Sequence, residues 1–333
     1  MTLLLGLLSC SDYKLGGKND HPPAPEDSDP HHVDTSVSDT DDSPSETGGV
    51  PTGDSGEHPD GRIDVVLIMD VAYSYDCYRV ELADRTAELI TALFDSGADI
   101  AVSIGSYDDY NVEGQWWVAY GGVPFRLEQQ LTTDKATALA AAARLEFTWG
   151  GDGPGTGYEA ILQSMSGRGY DQDCNGTFDS STDIKPFNAS PSDAFGGRTS
   201  GSANASVPGT GTQVGVGFRS GSRKVVVLFA ENSMRDHAEG NDLPTGACLG
   251  AASQTDAVDA MTNADARFLG VNAYEFWDID TVPQEQLEAL ATRTSSHIDA
   301  DGDGAKDDLA VFGGDWDWPT TARLVSAIWD LAD

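Results

Sequence analysis

The sequence predicts an α/β fold: a doubly wound, mostly parallel sheet flanked by helices, preceded by a disordered tether. Three observations predict it. The run Ile63-Asp64-Val65-Val66-Leu67-Ile68-Met69 is almost continuously apolar and ends on Asp70. A strand covered on both faces needs no polar alternation. Lys224 to Phe229 reads the same way. Between and after these runs, further strand-like segments alternate with segments of helical spacing, the rhythm of a wound parallel sheet.

Taken in order, residues 11–60 are rich in Asp, Ser, Pro, Gly and Thr and nearly empty of large apolar side chains. Ordering them would not be compensated by burial, so they read as a disordered acidic tether. His21, His31, His32 and His58 lie in it, scattered. The folded part, 61–333, opens with the first strand. Arg79 to Phe94 then places Val80, Leu82, Ala83, Leu89, Ile90 and Leu93 at helical spacing, and Gly97 stops that helix. Ala98 to Ser106 is a second strand, ending at Tyr107-Asp108-Asp109, and Trp116 to Tyr120 an antiparallel edge strand. Thr132-Thr133-Asp134 caps an Ala-rich helix to Leu145, and Thr156 to Met165 is another helix. A Gly, Ser, Asp and Thr insertion at about 166–222 interrupts the rhythm. After Lys224–Phe229 come a helix over Ala257–Ala264, a strand over Arg267–Tyr274, a helix over Gln284–Thr294, a short strand over Leu309–Phe312 and a closing helix over Thr320–Leu331.

Charge and cysteines bound the function. A formal net charge of −36 over 333 residues argues against nucleic acid and anionic membrane surfaces. It suits calcium or basic partners, or simply solubility. Met1 to Ser9 is an apolar run ending Leu7-Leu8-Ser9-Cys10, and it looks like a bacterial lipoprotein signal (1–10) with Cys10 lipidated after cleavage. It is too short to span a bilayer and lacks a positive n-region, which suggests a start further upstream. The expectation is export and a lipid anchor in the bacterial cell envelope, at the outer membrane, with no other membrane contact. Cys77, Cys174 and Cys248 then remain, so one is free or pairs between chains.

Asp70 closes a buried strand and is followed by Val71-Ala72-Tyr73-Ser74. Open α/β sheets bind ligands at such carboxyl ends. Gly150-Gly151-Asp152-Gly153-Pro154-Gly155-Thr156 precedes a helix, and Ala230-Glu231-Asn232-Ser233 follows the second apolar strand. These three segments resemble the metal-site loops of von Willebrand factor type A (VWA) domains, most closely the version in integrin beta subunits. The resemblance covers nearly all of 62–331 in layout. It implies a site for Mg²⁺ or Mn²⁺ held by Asp70, Ser74, Thr156 and Glu231, with one position open to a carboxylate of a protein ligand. It also makes Asp152 part of the second loop and gives Asp109 the place of an Asp that serves a neighbouring calcium site. Ala72 stands where the family has its first Ser, Gly155 where the integrin form has Glu, and Glu231 where the family has Asp. Hard cations want oxygen ligands, some charged and some neutral, converging from separate loops, which is what these residue types offer.

Two further loops repeat one spacing. Asp171, Asp173, Asn175 and Asp179 place oxygens at positions 1, 3, 5 and 9, with Gly176 at position 6. Asp299, Asp301, Asp303 and Asp307 do the same, with Gly304 at position 6. Crowded carboxylates repel, and a cation relieves them. The loops are similar to EF-hand loops and thrombospondin type 3 repeats, which implies Ca²⁺. Position 12 is Thr182 in one and Ala310 in the other, and Asp183 and Asp308 lie nearby as substitutes. The integrin beta layout suggests a disulfide joining Cys174 and Cys248, with Cys77 a rival partner.

No enzyme is expected. Only His237 and His297 lie in the folded part, and no Gly-x-Ser-x-Gly elbow, phosphate loop or His-Glu-x-x-His is present. Gly209 to Thr212 sits in the insertion, and Asp315 and Asp317, beside Trp316 and Trp318, lead into the last helix. The expected function is a surface-tethered adhesion or protein-interaction module. The alternative is a structural envelope lipoprotein of the same fold without a working adhesion metal. A metal-dependent hydrolase ranks behind both.

Overall fold

The computed structural model describes residues 61–72, 76–110, 124–145, 148, 154–177, 183–184, 215–236, 250–273, 282–313 and 319–333, with backbone alone for 76–81. The chain divides into two units, Met1–Glu57 and His58–Asp333, and every described residue belongs to the second. The tether, Cys10, Ser74, the Trp116–Tyr120 strand, Asp152, Asp179, His237, Cys248 and Asp315–Trp318 lie outside the described residues, as does the side chain of Cys77.

The elements are β1 (Arg62–Asp70), α1 (Asp76–Asp95), β2 (Asp99–Tyr107), β3 (Arg126–Thr132), α2 (Lys135–Ala142), α3 (Gly157–Ser166), β4 (Arg223–Ala230), α4 (Gln254–Asn263), β5 (Ala266–Asn272), α5 (Val282–Arg293), β6 (His297–Ile298), β7 (Asp308–Leu309), β8 (Val311–Phe312) and α6 (Thr321–Ala332). Six strands form one sheet in the order β3-β2-β1-β4-β5-β8. All pairings in it are parallel except β2–β3, which is antiparallel. This is the predicted α/β fold, with a mostly parallel, Rossmann-like sheet between helices.

The pleat of β1 explains the two layers. Val66 and Ile68 face one side, where they join a core with Ile161 of α3, Val258 of α4 and Leu287 of α5. Val65, Leu67 and Met69 face the other, with Leu89 and Leu93 of α1, Ala138 of α2 and Ile328 of α6. Because β1 is central, both of its faces are buried, and the strand reads as an unbroken apolar run.

Local chemistry sets the helix starts. The Asp134 carboxylate accepts from the Ala136 amide at 3.1 Å, capping α2. Ser253 and Asp256 form a capping box, so α4 starts at Gln254, three residues before the apolar spacing suggests. Three strands escape the sequence pattern in whole or in part. β3, Arg-Leu-Glu-Gln-Gln-Leu-Thr, is too polar to read as a strand, yet pairs at the sheet edge. β6 and β7 are two residues each, below any periodicity. Late in the insertion, Val216 and Phe218 are buried, and the Leu131 amide donates to the Val216 carbonyl at 3.0 Å. No helix among the described residues is long and apolar enough to cross a membrane.

Candidate functional site

The strand order reverses at β1, because β2 lies on one side of it and β4 on the other. Sheets of this kind bind ligands in the crevice at that switch point, beyond the carboxyl ends of the strands. Asp70 ends β1 opposite Tyr107 of β2, and Met69 pairs with Phe229, which sets Glu231 just past Asp70 on the far side. The segments after β1, β2 and β4 therefore meet there. The 154–156 segment joins them: Gly155 N–H donates to Ser233 O at 2.8 Å, Thr156 N–H to Asp108 O at 2.9 Å, and Arg235 N–H to Gly155 O at 2.7 Å.

Asp70 is fully buried. Its carboxylate accepts from the Ala72 amide at 3.0 Å and the Glu231 amide at 3.2 Å. Burial pushes its acid up to about 7, the negative charge of Asp108 adds to that, and the backbone donors Ala72, Glu231 and Asn232 oppose it. Asp108, also buried, accepts from the hydroxyl of Thr148. The Thr156 hydroxyl faces two carbonyls, Pro124 O at 2.7 Å and Asp108 O at 3.1 Å. Glu231 is 4% exposed. Asp109 faces Arg235, whose Nη2 donates to Oδ2 at 3.0 Å and whose Nε donates to Oδ1 at 3.2 Å.

Thus Asp70, Asp109, Thr156 and Glu231 come to one rim of the sheet. Ser74 and Asp152 lie outside the described residues. Asp108, Thr148 and Arg235 belong to the same rim and were not singled out by motif reasoning. Asp108 follows β2 directly, so its position beside Asp109 was a usable signal; nothing in the sequence marks Thr148. Two carboxylates and a hydroxyl, Asp70, Glu231 and Thr156, are a donor set that suits a hard cation. The arrangement is not a tight carboxylate cage: among the described residues, the groups of three acidic side chains whose ligand atoms lie within 4.8 Å of one another are elsewhere. Asp109 does not fit a cation, since both of its oxygens are engaged by a guanidinium.

Those groups of three are Asp171, Asp173 and Asp183, and Asp299, Asp301 and Asp303. The two loops share one hydrogen-bond plan. The amide at position 6 donates to the position 1 carboxylate, Gly176 to Asp171 at 2.8 Å and Gly304 to Asp299 at 2.9 Å. The amide at position 5 donates to position 3, Asn175 to Asp173 and Asp303 to Asp301, both at 3.1 Å. Thr177 and Ala305 donate to Asn175 Oδ1 and Asp303 Oδ1, both at 2.7 Å. At position 2, Gln172 donates to Asp183 at 3.2 Å and Ala300 to Asp308 at 3.0 Å. Each loop is closed by antiparallel pairing, Tyr170 with Ile184 in the first and β6 with β7 in the second. Positions 4 and 6 have positive φ in both, Cys174 and Gly176, Gly302 and Gly304. The oxygens thus face inward on a preset backbone, and the donor set fits calcium. Asp307 is exposed and stands outside the second group. Cys174 is disulfide-bonded, to a side chain outside those described.

Behind the rim, Glu159 of α3 is buried and its acid is raised, chiefly by that burial. It accepts from Ala252 N–H at 2.7 Å, Gln163 Nε2 at 2.6 Å and the Tyr110 hydroxyl at 3.2 Å. Tyr110 packs edge-on against Tyr170, which flanks the first loop, with ring centroids 5.6 Å apart.

No protein-family model matches the chain, and no curated protein matches it. Among solved structures, it is similar to proximal thread matrix protein 1 from the mussel byssus, with a TM-score of 0.40 and 10% identity over 82% of this chain. The match spans 45% of that protein's length.

Proposed function

We propose that the 61–333 domain is a VWA-type protein-interaction module, carried on a lipid-anchored envelope protein and stapled by calcium in two loops. The observation that supports it most is the meeting of Asp70, Thr156 and Glu231 at the switch point of the sheet, from three separate segments. A protein ligand would dock at this rim, with a Mg²⁺ or Mn²⁺ held by Asp70, Glu231, Thr156 and Ser74. When bound, that ion would supply an open coordination position for a ligand carboxylate. Ca²⁺ would sit among Asp171, Asp173 and Asp183, and among Asp299, Asp301 and Asp303, where it offsets the repulsion of crowded carboxylates. The signal at 1–10, with lipidation at Cys10, and the tether over 11–60 would hold the module off the membrane.

A second reading is a structural protein of this fold with no working adhesion metal. The Thr156 hydroxyl bonding to carbonyls and the Asp109–Arg235 pair favour it. The test is an array of secreted and cell-surface proteins, probed with the full chain and with Asp70→Ala. Probing is done in calcium plus magnesium and in EDTA. Binding lost in both Asp70→Ala and EDTA supports the metal-bridged module. Binding that survives both supports the structural reading.

A further inference from the structure

We infer that the guanidinium of Arg235 occupies, at the carboxyl rim of the sheet, the place that the resemblance gives to a calcium ion at Asp109. The rim is therefore held at that corner by the protein's own cation. The inference rests on the proposed reading of the rim as the interaction site, and it adds how that site is controlled: this corner does not answer to calcium.

The geometry is a two-point fork. Arg235 Nη2 meets Oδ2 of Asp109 at 3.0 Å and Nε meets Oδ1 at 3.2 Å. Oδ1 also accepts from the Tyr110 amide at 2.7 Å. Both side chains are out of solvent, 6% exposed for Arg235 and 3% for Asp109. A planar guanidinium matches both carboxylate oxygens at once and carries fixed charge at every accessible pH. A divalent cation placed on Asp109 would have to take oxygens already engaged, and would stand beside a buried positive charge with little water to screen it.

The backbone carrying Arg235 is clamped as well. Its amide donates to Gly155 O at 2.7 Å. The preceding residue, Met234, is held on both sides by Gln286 of α5: its amide donates to Oε1 at 2.6 Å, and its carbonyl accepts from Nε2 at 2.8 Å. Arg235 thus reaches from the segment after β4 to the segment after β2, with β1 between them. That is the span a bridging ion would cross to tie the two loops. Here the tie is covalent at one end and part of the fold.

The test compares calcium and manganese equivalents bound by the full chain and by its Asp109→Asn variant, using calorimetry. A variant-free readout accompanies it: the NMR signal of the Arg235 Nε–H and its protection from exchange. The expected result is the same number of equivalents in both proteins, and an Arg235 signal that stays in place and protected through saturating calcium. Fewer equivalents in Asp109→Asn, or an Arg235 signal that shifts and loses protection as calcium is added, overturns the inference. Should the variant fail to fold, the Arg235 signal decides alone. Absence of calcium or partner binding in the wild type counts against the proposed function, and the Arg235 signal still reports on the pair.

Discussion

The backbone amide of Glu231 donates to Oδ2 of Asp70 at 3.2 Å, so the last carboxylate of β1 is held by the first residue after β4. This bond favours the charged acid, yet burial outweighs it and pushes Asp70 up to about 7. In the unfolded chain the group returns to about 4. Between those values the folded state keeps a proton that the unfolded state has lost, so stability falls as pH rises through that window. Above it the buried carboxylate costs on the order of 4 kcal/mol. In EDTA, Asp70→Asn should melt above wild type at about pH 8 and draw level near about pH 4, within the range linkage sets. Parallel melting curves for the two proteins across that range would count against burial as the cause.

The shared plan of the two acidic loops predicts equal and separable responses to calcium. With dissociation constants of roughly 1 mM, typical of weak extracellular sites, calcium at ten times that value should add about 1.4 kcal/mol per loop. Asp173→Ala and Asp301→Ala should each remove one such increment. Without calcium, each should leave stability unchanged or raise it slightly, because a like charge leaves a crowded group. Thermal melts with and without calcium, singly and for the double variant, check this. A wild-type melting temperature indifferent to calcium would sink it.

What the sequence could show follows from how each feature is encoded. β1 and β4 are buried on both faces, so their identity is written as continuous apolar runs, and the wound sheet follows from them. The rim residues Asp70, Asp109 and Glu231 could be placed because Asp70 ends a strand and the other two come within two residues of one. Arg235 could not, since its role depends on a fork reaching Asp109 from a segment 126 residues away. β3 was hidden because edge strands with polar side chains carry little pattern, and its partner Val216 lies in a stretch that reads as low-complexity insertion. The acidic loops were plain from spacing alone. Asp183 lies close enough in sequence to read as a substitute ligand for the first loop, and the Tyr170–Ile184 bridge is what brings it to Asp171 and Asp173.

Arg219 knots the end of the insertion to the amino edge of the sheet, opposite the candidate site. Its Nε donates to Asp64 Oδ1 at 2.6 Å, and its Nη2 to Ile63 O at 2.9 Å and Asp99 O at 2.8 Å. Asp64 is wholly buried and also accepts from the Ser222 hydroxyl at 2.7 Å. Arg219→Met would leave that carboxylate without its counter-charge and should cost about 3–5 kcal/mol in denaturant unfolding. The double variant Asp64→Asn/Arg219→Met should recover part of the loss, because no buried charge is then stranded. A single-variant cost below about 1 kcal/mol would place the pair in the class of surface ion pairs.

Gly176 and Gly304 hold position 6 of their loops at φ of +79° and +89°, and no heavy atom lies within 4 Å of where a Cβ would stand. Backbone conformation alone therefore demands glycine there, with no packing term. A side chain in the left-handed region costs roughly 1–2 kcal/mol, less for Asn than for Ala, since its short amide bonds locally. Gly176→Ala and Gly304→Ala should destabilise by similar amounts, the two Asn variants by less, and all four should weaken calcium binding. The coupling to calcium arises because the position 6 amide is what orients the Asp171 and Asp299 carboxylates. Calcium-dependent melts of the four variants read both effects at once. If Asn proves worse than Ala at either site, crowding rather than φ sets the requirement, and the two loops do not share one backbone solution.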